Sequence, residues 1–348
     1  MALTLEKKLI TITLLILGTW ISQAMSRTLL EAALAKRHEQ WMAQYGRNYA
    51  DSVEKEKRFK IFKDNAGFID KFNNEVNHTY KLSVNEFSDL TNEEFLASRT
   101  GYKKISTQPI LSSPKTTKFR YENLTATEIP MSMDWREKGA VTSIKNQGRC
   151  GCCWAFSAVA AVEGITQIKT GNLISLSEQQ LVDCDVEDNN GCRGGSMDNA
   201  FTYIIQNNGL ATEENYPYEA MDGRNCDQEK ASTYAAKISA FQDVTPNSEE
   251  ALLQAVAIQP ISVAIDASSP AFQHYSSGVF TGECGTNLVH AVTAIGYGTN
   301  NDGTKYWLIK NSWGTTWGEN GYMKIQRDIQ APQGLCGLAM HPSYPVIS

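Results

Sequence analysis

Apolar residues recur along this chain with two different spacings, and the change between them separates a helical part from a strand-rich part. Over residues 30–45 and 52–74 they lie three or four positions apart, which predicts two amphipathic helices. Residues 153–169 form a longer, alanine-rich apolar run followed by Gly171, which predicts a buried helix. After about residue 240 the apolar segments become short, β-branched and aromatic, as is typical of strands. This succession predicts an α+β fold with two lobes.

Three more helices are predicted from capping residues. Ser177 stands three residues before Gln180, which is the spacing of a capping box, and Ser196 precedes a helix that we expect to end near Gly209. A further capped helix is predicted over residues 247–258. Strands are predicted at residues 261–265, 290–297, 306–309 and 322–325.

The first 24 residues have the pattern of a secretory signal peptide. Lys7 and Lys8 precede an apolar run over residues 9–21, and small residues then end at Ala24. The alternative is a membrane anchor, but the run is too short for a typical span. Because no later run reaches spanning length, we expect no membrane association. Secretion predicts an oxidising compartment and disulfides among the eight cysteines.

Cysteine and charge both change sharply near residue 128. Residues 25–128 hold no cysteine, with 17 Lys+Arg against 14 Asp+Glu, a net charge of +3. Residues 129–348 hold all eight cysteines, with 13 against 23, a net charge of −10. The opposite signs favour docking of one segment on the other, although two independently solvated surfaces would give the same counts. Residues 101–128 are polar and aperiodic, which predicts an exposed linker where proteolysis concentrates.

Cys153 is a candidate nucleophile because of its place at the start of a predicted helix. It follows the polar, glycine-punctuated stretch Gln147–Cys152 and opens the apolar run. Free backbone N–H groups and the helix dipole favour an anion there, so the thiol should deprotonate more easily. Position alone is equally compatible with a disulfide cysteine.

The stretch Cys-Gly-Cys-Cys-Trp at residues 150–154 resembles the active-site signature of papain-like cysteine proteases. It departs from the usual pattern at Cys152, which adds an unexplained thiol and suggests the plant senescence- and germination-associated branch. His290 lies 137 residues beyond Cys153, and Asn311 lies 158 residues beyond it. The family has its histidine and asparagine about 130–150 residues downstream.

The pattern around residue 300 predicts that His290 and Asn311 come close together. Residues 290–298 and 305–312 are strand-like, and the six residues between them have strong turn chemistry. The pair is centred at 300.5, so the two residues should lie nearly opposite each other, with a possible shift of one residue at a bulge. His290 alone would be better explained as an ordinary strand histidine.

In the N-terminal segment, one motif has the residues Glu54, Arg58, Phe62, Asn65, Ile69 and Asn73. This complete motif resembles the one in the propeptides of cathepsin L-like and papain-like proteases. A second propeptide motif runs from Ser83 to Asp89, but Ser83 replaces a glycine, so we expect a slightly strained turn if that position needs positive φ. Asn77 and Asn123 begin glycosylation sequons.

The resemblance implies a secreted-pathway cysteine endopeptidase that is made as a zymogen. Residues 1–24 would be the signal peptide, 25–128 an inhibitory propeptide that occupies the cleft, and 129–348 the peptidase domain. That domain would combine a helical lobe, about 138–240, with an antiparallel β-barrel-like lobe, about 241–335. The site would lie between the lobes.

Residue roles carry over from the resemblance. Cys153 would be the nucleophile, His290 its imidazolium partner and Asn311 the residue that orients His290, while Gln147 and the Cys153 N–H would form the oxyanion hole. Substrate contacts would come from Gly194, Gly195, Met197, Ala264, Leu288, Ala291, Trp313 and His341, in a pocket that prefers apolar residues at the second position before the scissile bond. His341 could instead be a surface residue near the C-terminus.

The resemblance also accounts for six of the cysteines. Cys152 would have no disulfide partner and would act either as a small buried hydrophobic residue or as a redox brake on Cys153. No Cys/His set has zinc-ligand spacing, and we expect no cofactor. The implied disulfides are Cys150–Cys192, Cys184–Cys226 and Cys284–Cys336.

The expected partners are protein and peptide substrates, the chain's own propeptide and cystatin-type inhibitors, with no nucleic acid. We expect a monomer in an acidic vacuole- or lysosome-like compartment or outside the cell. Two other classes of protein fit the sequence less well. A catalytically dead storage or binding relative would usually lack Cys153, His290 or Gln147, and a disulfide-rich interaction module would not explain the propeptide motif.

Overall fold

The computed structural model describes residues 25, 29–75, 78–104, 121, 129–223 and 225–347, and the chain divides into two compact units, Met1–Phe68 and Ile69–Ser348. The expected signal peptide, most of the linker and both sequon asparagines, Asn77 and Asn123, lie outside the described residues. Within the described residues, no helix combines the length and apolarity that crossing a membrane requires.

The first unit is built on two helices, as predicted. Helix α1 covers residues 29–44, and helix α2 is Ser52–Asn74, of which residues up to Phe68 belong to this unit. Trp41 of α1 packs on Phe62 of α2 with ring centroids 5.3 Å apart. Arg58 donates a 2.6 Å hydrogen bond to Glu54 one turn earlier. Two members of the propeptide motif thus stabilise α2 itself.

The second unit contains the end of α2 and the other named elements. Its helices are α3 (Asn92–Arg99), α4 (Cys153–Thr170), α5 (Glu178–Cys184), α6 (Met197–Gln206), α7 (Gln228–Ala231), α8 (Glu249–Val256) and α9 (Pro270–Gln273). Its strands are β1 (Tyr80–Leu82), β2 (Met133–Asp134), β3 (Ala240–Asp243), β4 (Ile261–Ile265), β5 (Tyr275–Phe280), β6 (His290–Thr299), β7 (Lys305–Lys310), β8 (Tyr322–Gln326) and β9 (Ser343–Val346).

The described strands form one mixed sheet in the order β1-β5-β8-β7-β6-β4-β9-β3, with β2 paired to β6. Strands β5 and β8 are parallel, and the other pairs are antiparallel. Strand β1 belongs to the propeptide segment and joins the sheet at β5, with Tyr80 opposite Gly278. The sheet also extends beyond residue 335, because β9 pairs with β3 and β4.

Helix α4 belongs to one of two hydrophobic cores and borders the other. One core is formed by the sheet, and the other by the apolar faces of α4, α5 and α6. The Ser157 hydroxyl of α4 donates to the carbonyl of Val292 in β6 at 2.7 Å, and Ser262 of β4 donates to the Ser157 carbonyl at 2.9 Å. These bonds fix the start of α4 against β6 and β4. The fold is α+β, with a helical lobe and a sheet lobe, as the sequence predicts.

Three local details differ from prediction. The helix expected from residue 247 begins after Ser248, which accepts from Ala251 N, because Asn247 has φ 56° and cannot cap. Ser177 caps α5, but the Gln180 side-chain oxygen accepts from Ala211 N, so the box is not reciprocal. Ser83 is not among the residues with positive φ, so the expected strain is absent.

The hairpin between β6 and β7 has a different register from the one expected. Thr299 pairs with Lys305, which centres the turn at residue 302, and a bulge follows between Ala294 and Gly296. Strand β7 ends at Lys310, so Asn311 is not the cross-strand neighbour of His290. The two residues still meet, because the asparagine follows directly on β7 and its side chain reaches back to the ring.

The disulfides are Cys150–Cys192, Cys184–Cys226 and Cys284–Cys336, as the resemblance implied. Cys152 and Cys153 are free and fully buried. The first bridge ties the loop before α4 to the Gly191–Arg193 turn, and therefore holds both sides of the segment that carries Cys153.

Candidate active site

Cys153 is the first residue of α4, and Cys152 before it has a non-helical backbone. The run of Ala and Val that follows packs into the helical lobe, so the polar loop must stop here. Burial raises the pKa of the Cys153 thiol to about 12, although hydrogen bonds from the backbone at Ala291, Gly101, Trp154 and Tyr102 act in the opposite direction. In this state the thiol is neutral.

His290 opens β6 and is held by two residues beyond β7. Its Nε2 lies 2.8 Å from Asn311 Oδ1, and its ring stacks on Trp313 with centroids 4.4 Å apart. Because the amide oxygen can only accept, Nε2 carries the proton and Nδ1 is the basic nitrogen. His290 Nδ1 is buried and has no hydrogen-bond partner among the described residues. Burial lowers the pKa of His290 to about 4, against the raising effect of Asn311.

Gln147 is buried and bonded from several sides. Its backbone N–H donates to Ser312 O at 2.8 Å, and its side-chain oxygen accepts from the Ser312 hydroxyl at 2.6 Å. Its Nε2 donates to Cys150 O at 2.8 Å. An amide nitrogen has two protons, so one N–H of Gln147 remains for another acceptor.

Residues 101–104, which follow α3, run through the site as an extended strand. Gly101 N and Tyr102 N both donate to Val289 O, at 3.0 and 2.9 Å. Lys103 N donates to Gly195 O, and Gly195 N donates to Gly101 O, each at 2.9 Å, which makes a parallel bridge. Gly195, expected from the sequence to bind substrate backbone, here binds the backbone of Gly101 and Lys103.

Gly101 approaches the loop before α4 more closely than any other residue type could. A Cβ built on Gly101 would lie 1.9 Å from the carbonyl oxygen of Gly151. A side chain at position 101 would therefore push the strand away from Cys153. The linker predicted over residues 101–128 consequently begins later, because residues 101–104 are fixed in the site by backbone bonds.

Tyr102 places its side chain among the residues expected to line the specificity pocket. It is 7% exposed and belongs to the same hydrophobic cluster as Met197, Ala264 and Ala291, against which Leu288 also packs. The remaining predicted residues are Gly194, which leads into Gly195 with φ 109°, Trp313 above His290, and His341.

His341 contacts Tyr102 and Lys104 with its two ring nitrogens. Nδ1 lies 2.9 Å from the Tyr102 hydroxyl, and Nε2 lies 3.0 Å from Lys104 Nζ. Burial and the Lys104 charge lower the pKa of His341. His341 is therefore half-buried at the end of the Tyr102 side chain.

Known protein families match both parts of the chain. The papain family cysteine protease profile covers residues 129–346, and the cathepsin propeptide inhibitor domain covers residues 38–95. This chain belongs to the papain family of cysteine proteases. It carries the family's inhibitory propeptide, so it is a zymogen.

This papain-family protease is similar to plant enzymes of the same kind. It is 56% identical to the senescence-specific cysteine protease SAG12 of Arabidopsis thaliana, over 91% of each chain. It resembles a recombinant stem bromelain precursor, with TM-score 0.82, 46% identity, and coverage of 91% of this chain and 99% of the other. A bromelain protease from Ananas comosus in complex with the inhibitor E64 matches at TM-score 0.61 and 50% identity, over 63% of this chain and all of that one.

A buried charge cluster, which the sequence did not predict, lies below the site of this papain-family protease. Lys145 Nζ lies 2.8 Å from Glu178 and 3.2 Å from Glu163, and Lys310 Nζ lies 3.8 Å from Glu163. Burial raises the pKa of Glu178 to about 8, while Lys145 and Lys310 hold the pKa of Glu163 down. Lys310 directly precedes Asn311, so the cluster stabilises the end of β7.

Ser312, Gly101 and Tyr102 are further site residues that sequence reasoning missed. Ser312 had a usable signal, since it follows Asn311 and is the hydroxyl nearest to the candidate catalytic residues in the sequence. Gly101 and Tyr102 had none, because they lie in a polar stretch without periodicity and their role depends on backbone contacts 94 to 188 residues away, at Gly195 and Val289.

Proposed function

We propose that this chain is the zymogen of a cysteine endopeptidase in which Cys153 and His290 form the reactive pair. The observation that carries the proposal is the buried His290 ring. Asn311 fixes its Nε2 as the protonated nitrogen, and its Nδ1 has no hydrogen-bond partner in the part of the chain that the structure describes. Such a ring can accept the proton of a thiol, and Cys153 belongs to the same hydrophobic cluster as Ala291, the residue that follows His290.

The reaction then proceeds in two stages. Cys153 Sγ transfers its proton to His290 Nδ1 and attacks the scissile carbonyl carbon, and the carbonyl oxygen becomes an oxyanion. The free N–H of Gln147 and the Cys153 backbone N–H stabilise that charge. His290 next protonates the leaving amine, which leaves an acyl-enzyme. Water, deprotonated by His290, attacks this thioester and releases the acid and the thiol.

The propeptide strand accounts for latency in two ways. It occupies the position of substrate backbone along Gly195, so no peptide can enter. It also buries the reactive pair, which favours neutral thiol and neutral imidazole over the ion pair. Once the strand leaves, water reaches the pair and favours the charged forms.

An epoxide inhibitor tests this proposal directly. We expect E64 to label the matured enzyme with one equivalent on Cys153, and to leave the intact precursor unlabelled because residues 101–104 cover the thiol. Peptide mapping after labelling locates the adduct. Labelling of Cys152 alone, or equal labelling of precursor and matured enzyme, would contradict the assignment.

We further propose that the enzyme prefers apolar or aromatic residues at the second position before the scissile bond. Tyr102 supports this, since it fills an apolar pocket whose far end is His341. Burying such a side chain stabilises the bound state by about 1.5–3 kcal/mol. After the propeptide leaves, both causes that lower the pKa of His341 weaken, so its pKa moves back toward the usual value near 6.5.

The expected result is a preference for Phe over Arg that increases as pH falls from 7 to 5. His341 gains a proton over this range, and its positive charge repels an arginine in the pocket. The measurement is kcat/KM for matched Phe and Arg substrates at both pH values, in the wild type and in His341→Ala. A ratio that does not change with pH, or a pH trend that persists in the variant, would remove His341 from the pocket.

The remaining proposals concern processing and surroundings. We place the signal peptide at residues 1–24, the propeptide at 25–128 and the peptidase domain at 129–348, with passage through the secretory pathway to an acidic vacuole-like compartment or the extracellular space. The family assignment and the three disulfides support secretion. Cystatin-type inhibition of a monomeric enzyme and glycosylation at Asn77 and Asn123 remain predictions.

A further inference from the structure

Cys152, the residue that departs from the family signature, is connected to Gln147 by a tyrosine. The Cys152 Sγ lies 2.9 Å from the hydroxyl oxygen of Tyr218. The same hydroxyl donates a 2.7 Å hydrogen bond to the backbone carbonyl of Gln147. Because a carbonyl can only accept and a phenol has one proton, the thiol must donate to the phenol oxygen. The three groups form a directed chain from Cys152 through Tyr218 to Gln147.

The groups of this hydrogen-bond chain are fixed, and they do not titrate in the working pH range of the enzyme. Cys152 is fully buried, and burial raises the pKa of its thiol far above neutrality. Burial, with the neighbouring Cys152, also raises the pKa of Tyr218. The Tyr218 ring packs edge-on against Phe156 of α4, and its backbone N–H donates to Glu213 at 3.0 Å. Both protons therefore stay in place.

The Tyr218 hydroxyl donates the shortest hydrogen bond observed to the backbone carbonyl of Gln147. The Gln147 backbone N–H donates to Ser312 O, and its side-chain oxygen accepts from the Ser312 hydroxyl. One proton of its side-chain nitrogen is donated to Cys150 O. The carbonyl itself accepts a long bond from Cys150 N at 3.4 Å and the short one from Tyr218. Loss of the short bond would let the peptide plane of Gln147 tilt, and the side-chain N–H would tilt with it.

We propose that Cys152 is a positioning residue for the oxyanion hole, acting through the Tyr218 hydroxyl on the Gln147 backbone. The proposal rests on the proposed role of Gln147 in stabilising the oxyanion. It assigns the additional thiol a hydrogen-bond donor function that serine can also perform and alanine cannot. The effect is on transition-state stabilisation and therefore on kcat, because the ground-state substrate does not bear the negative charge.

The test measures kcat and KM of matured enzyme, normalised to active sites titrated with E64, so that misfolded protein does not count. Removing an oxyanion donor costs about 10²–10³-fold in kcat, and displacing one should cost less, so Cys152→Ala should lower kcat about 3–30-fold with KM changed by less than about twofold. Cys152→Ser should restore kcat to within about twofold of wild type. Tyr218→Phe should lose at least as much as Cys152→Ala.

A matched control is Tyr216→Phe. Tyr216 is also buried, and its hydroxyl bonds Asp183 at 2.9 Å instead of Gln147. This variant loses a tyrosine hydrogen bond in the same lobe, so it should lower the melting temperature while kcat per active site stays at the wild-type level. A kcat loss here as large as in Tyr218→Phe would reduce the Cys152 effect to general destabilisation.

A double-mutant cycle separates this inference from the proposed function. In a Gln147→Ala background, Cys152→Ala should cause no further loss of kcat, because the group that it positions is gone. If Gln147→Ala lowers kcat but Cys152→Ala does not, or if the two effects multiply, the positioning role is refuted and the oxyanion role stands. If Gln147→Ala leaves kcat unchanged, the oxyanion role itself is refuted.

Discussion

Replacing Cys153 with serine should lower kcat/KM for peptide hydrolysis by about 10⁴-fold or more. A serine hydroxyl holds its proton far more tightly than a thiol, and His290 alone cannot generate the alkoxide, while removal of a catalytic nucleophile in comparable triads costs on the order of 10⁶-fold. The measurement is hydrolysis of a fluorogenic peptide by protein matured with an added protease, since the variant cannot mature itself.

The neighbouring thiol provides the matched control for that experiment. Cys152→Ser makes the same replacement of sulfur by oxygen one residue earlier, and it should retain most activity because serine preserves the bond to Tyr218. Both variants should be secreted and folded, which circular dichroism can verify. Comparable activity in the two variants would refute the assignment of Cys153 as nucleophile.

The precursor should be latent at pH 7 and should mature at about pH 4–5. The rate of maturation should differ by orders of magnitude between these two conditions. Two groups of side chains act in the same direction. Carboxylates on the −10 segment begin to protonate there, which weakens its attraction to the +3 segment. His290 and His341, both buried by the propeptide strand with lowered pKa values, must bind protons less readily in the docked state than after release.

The sign of the histidine contribution follows from linkage. Between the free pKa near 6.5 and the docked pKa of about 4 for His290, the released state binds more protons than the docked one. Lowering the pH through this window therefore favours release. Above the free pKa this driving force fades, because the released state then binds few additional protons. His341 adds a direct repulsion, since its protonated Nε2 would face the Lys104 ammonium.

Gel electrophoresis over time and N-terminal sequencing, with a new terminus expected near Ile129, measure maturation. The Cys153→Ser precursor is the control, because it should remain uncut at pH 4–5 if the process is autocatalytic. Efficient maturation at pH 7 without another protease would contradict the proposed docking electrostatics.

Local patterns in the sequence predicted elements whose residues act within one helix or strand. Helix α2 and strand β4 begin and end at the predicted residues, and the start of α4 at Cys153 is where the apolar run begins. These segments have strong apolar periodicity, so local and tertiary preferences agree. The His290–Asn311 contact was predicted correctly, but by the wrong register, because the longer β6 and its bulge could not be seen in the sequence.

Long-range contacts account for what the sequence could not show. Strands β1, β5 and β9 were missed because they are short or carry little alternation, and only pairing with distant partners makes them strands. The strand of Gly101 and Tyr102 has no apolar pattern at all, and its conformation is set by carbonyls of Val289 and Gly195. Tyr218 was equally invisible, since its role depends on one hydroxyl near residues 66 and 71 positions earlier.

The docking of β1 on β5 has a consequence for the enzyme after maturation. Release of the propeptide removes the partner of Tyr275, Ser277 and Gly278, so β5 becomes an exposed sheet border with unsatisfied main-chain groups. This border is poorly suited to self-association, because its outer residues are small and polar and Gly278 has φ 87°, which interrupts a regular ladder. The register shift that β1 needs in order to pair here, between Lys81 and Leu82, is a complementary irregularity that a random extended chain would not match. The matured protease therefore loses its inhibitor without acquiring a surface on which extended polypeptides could readily polymerise.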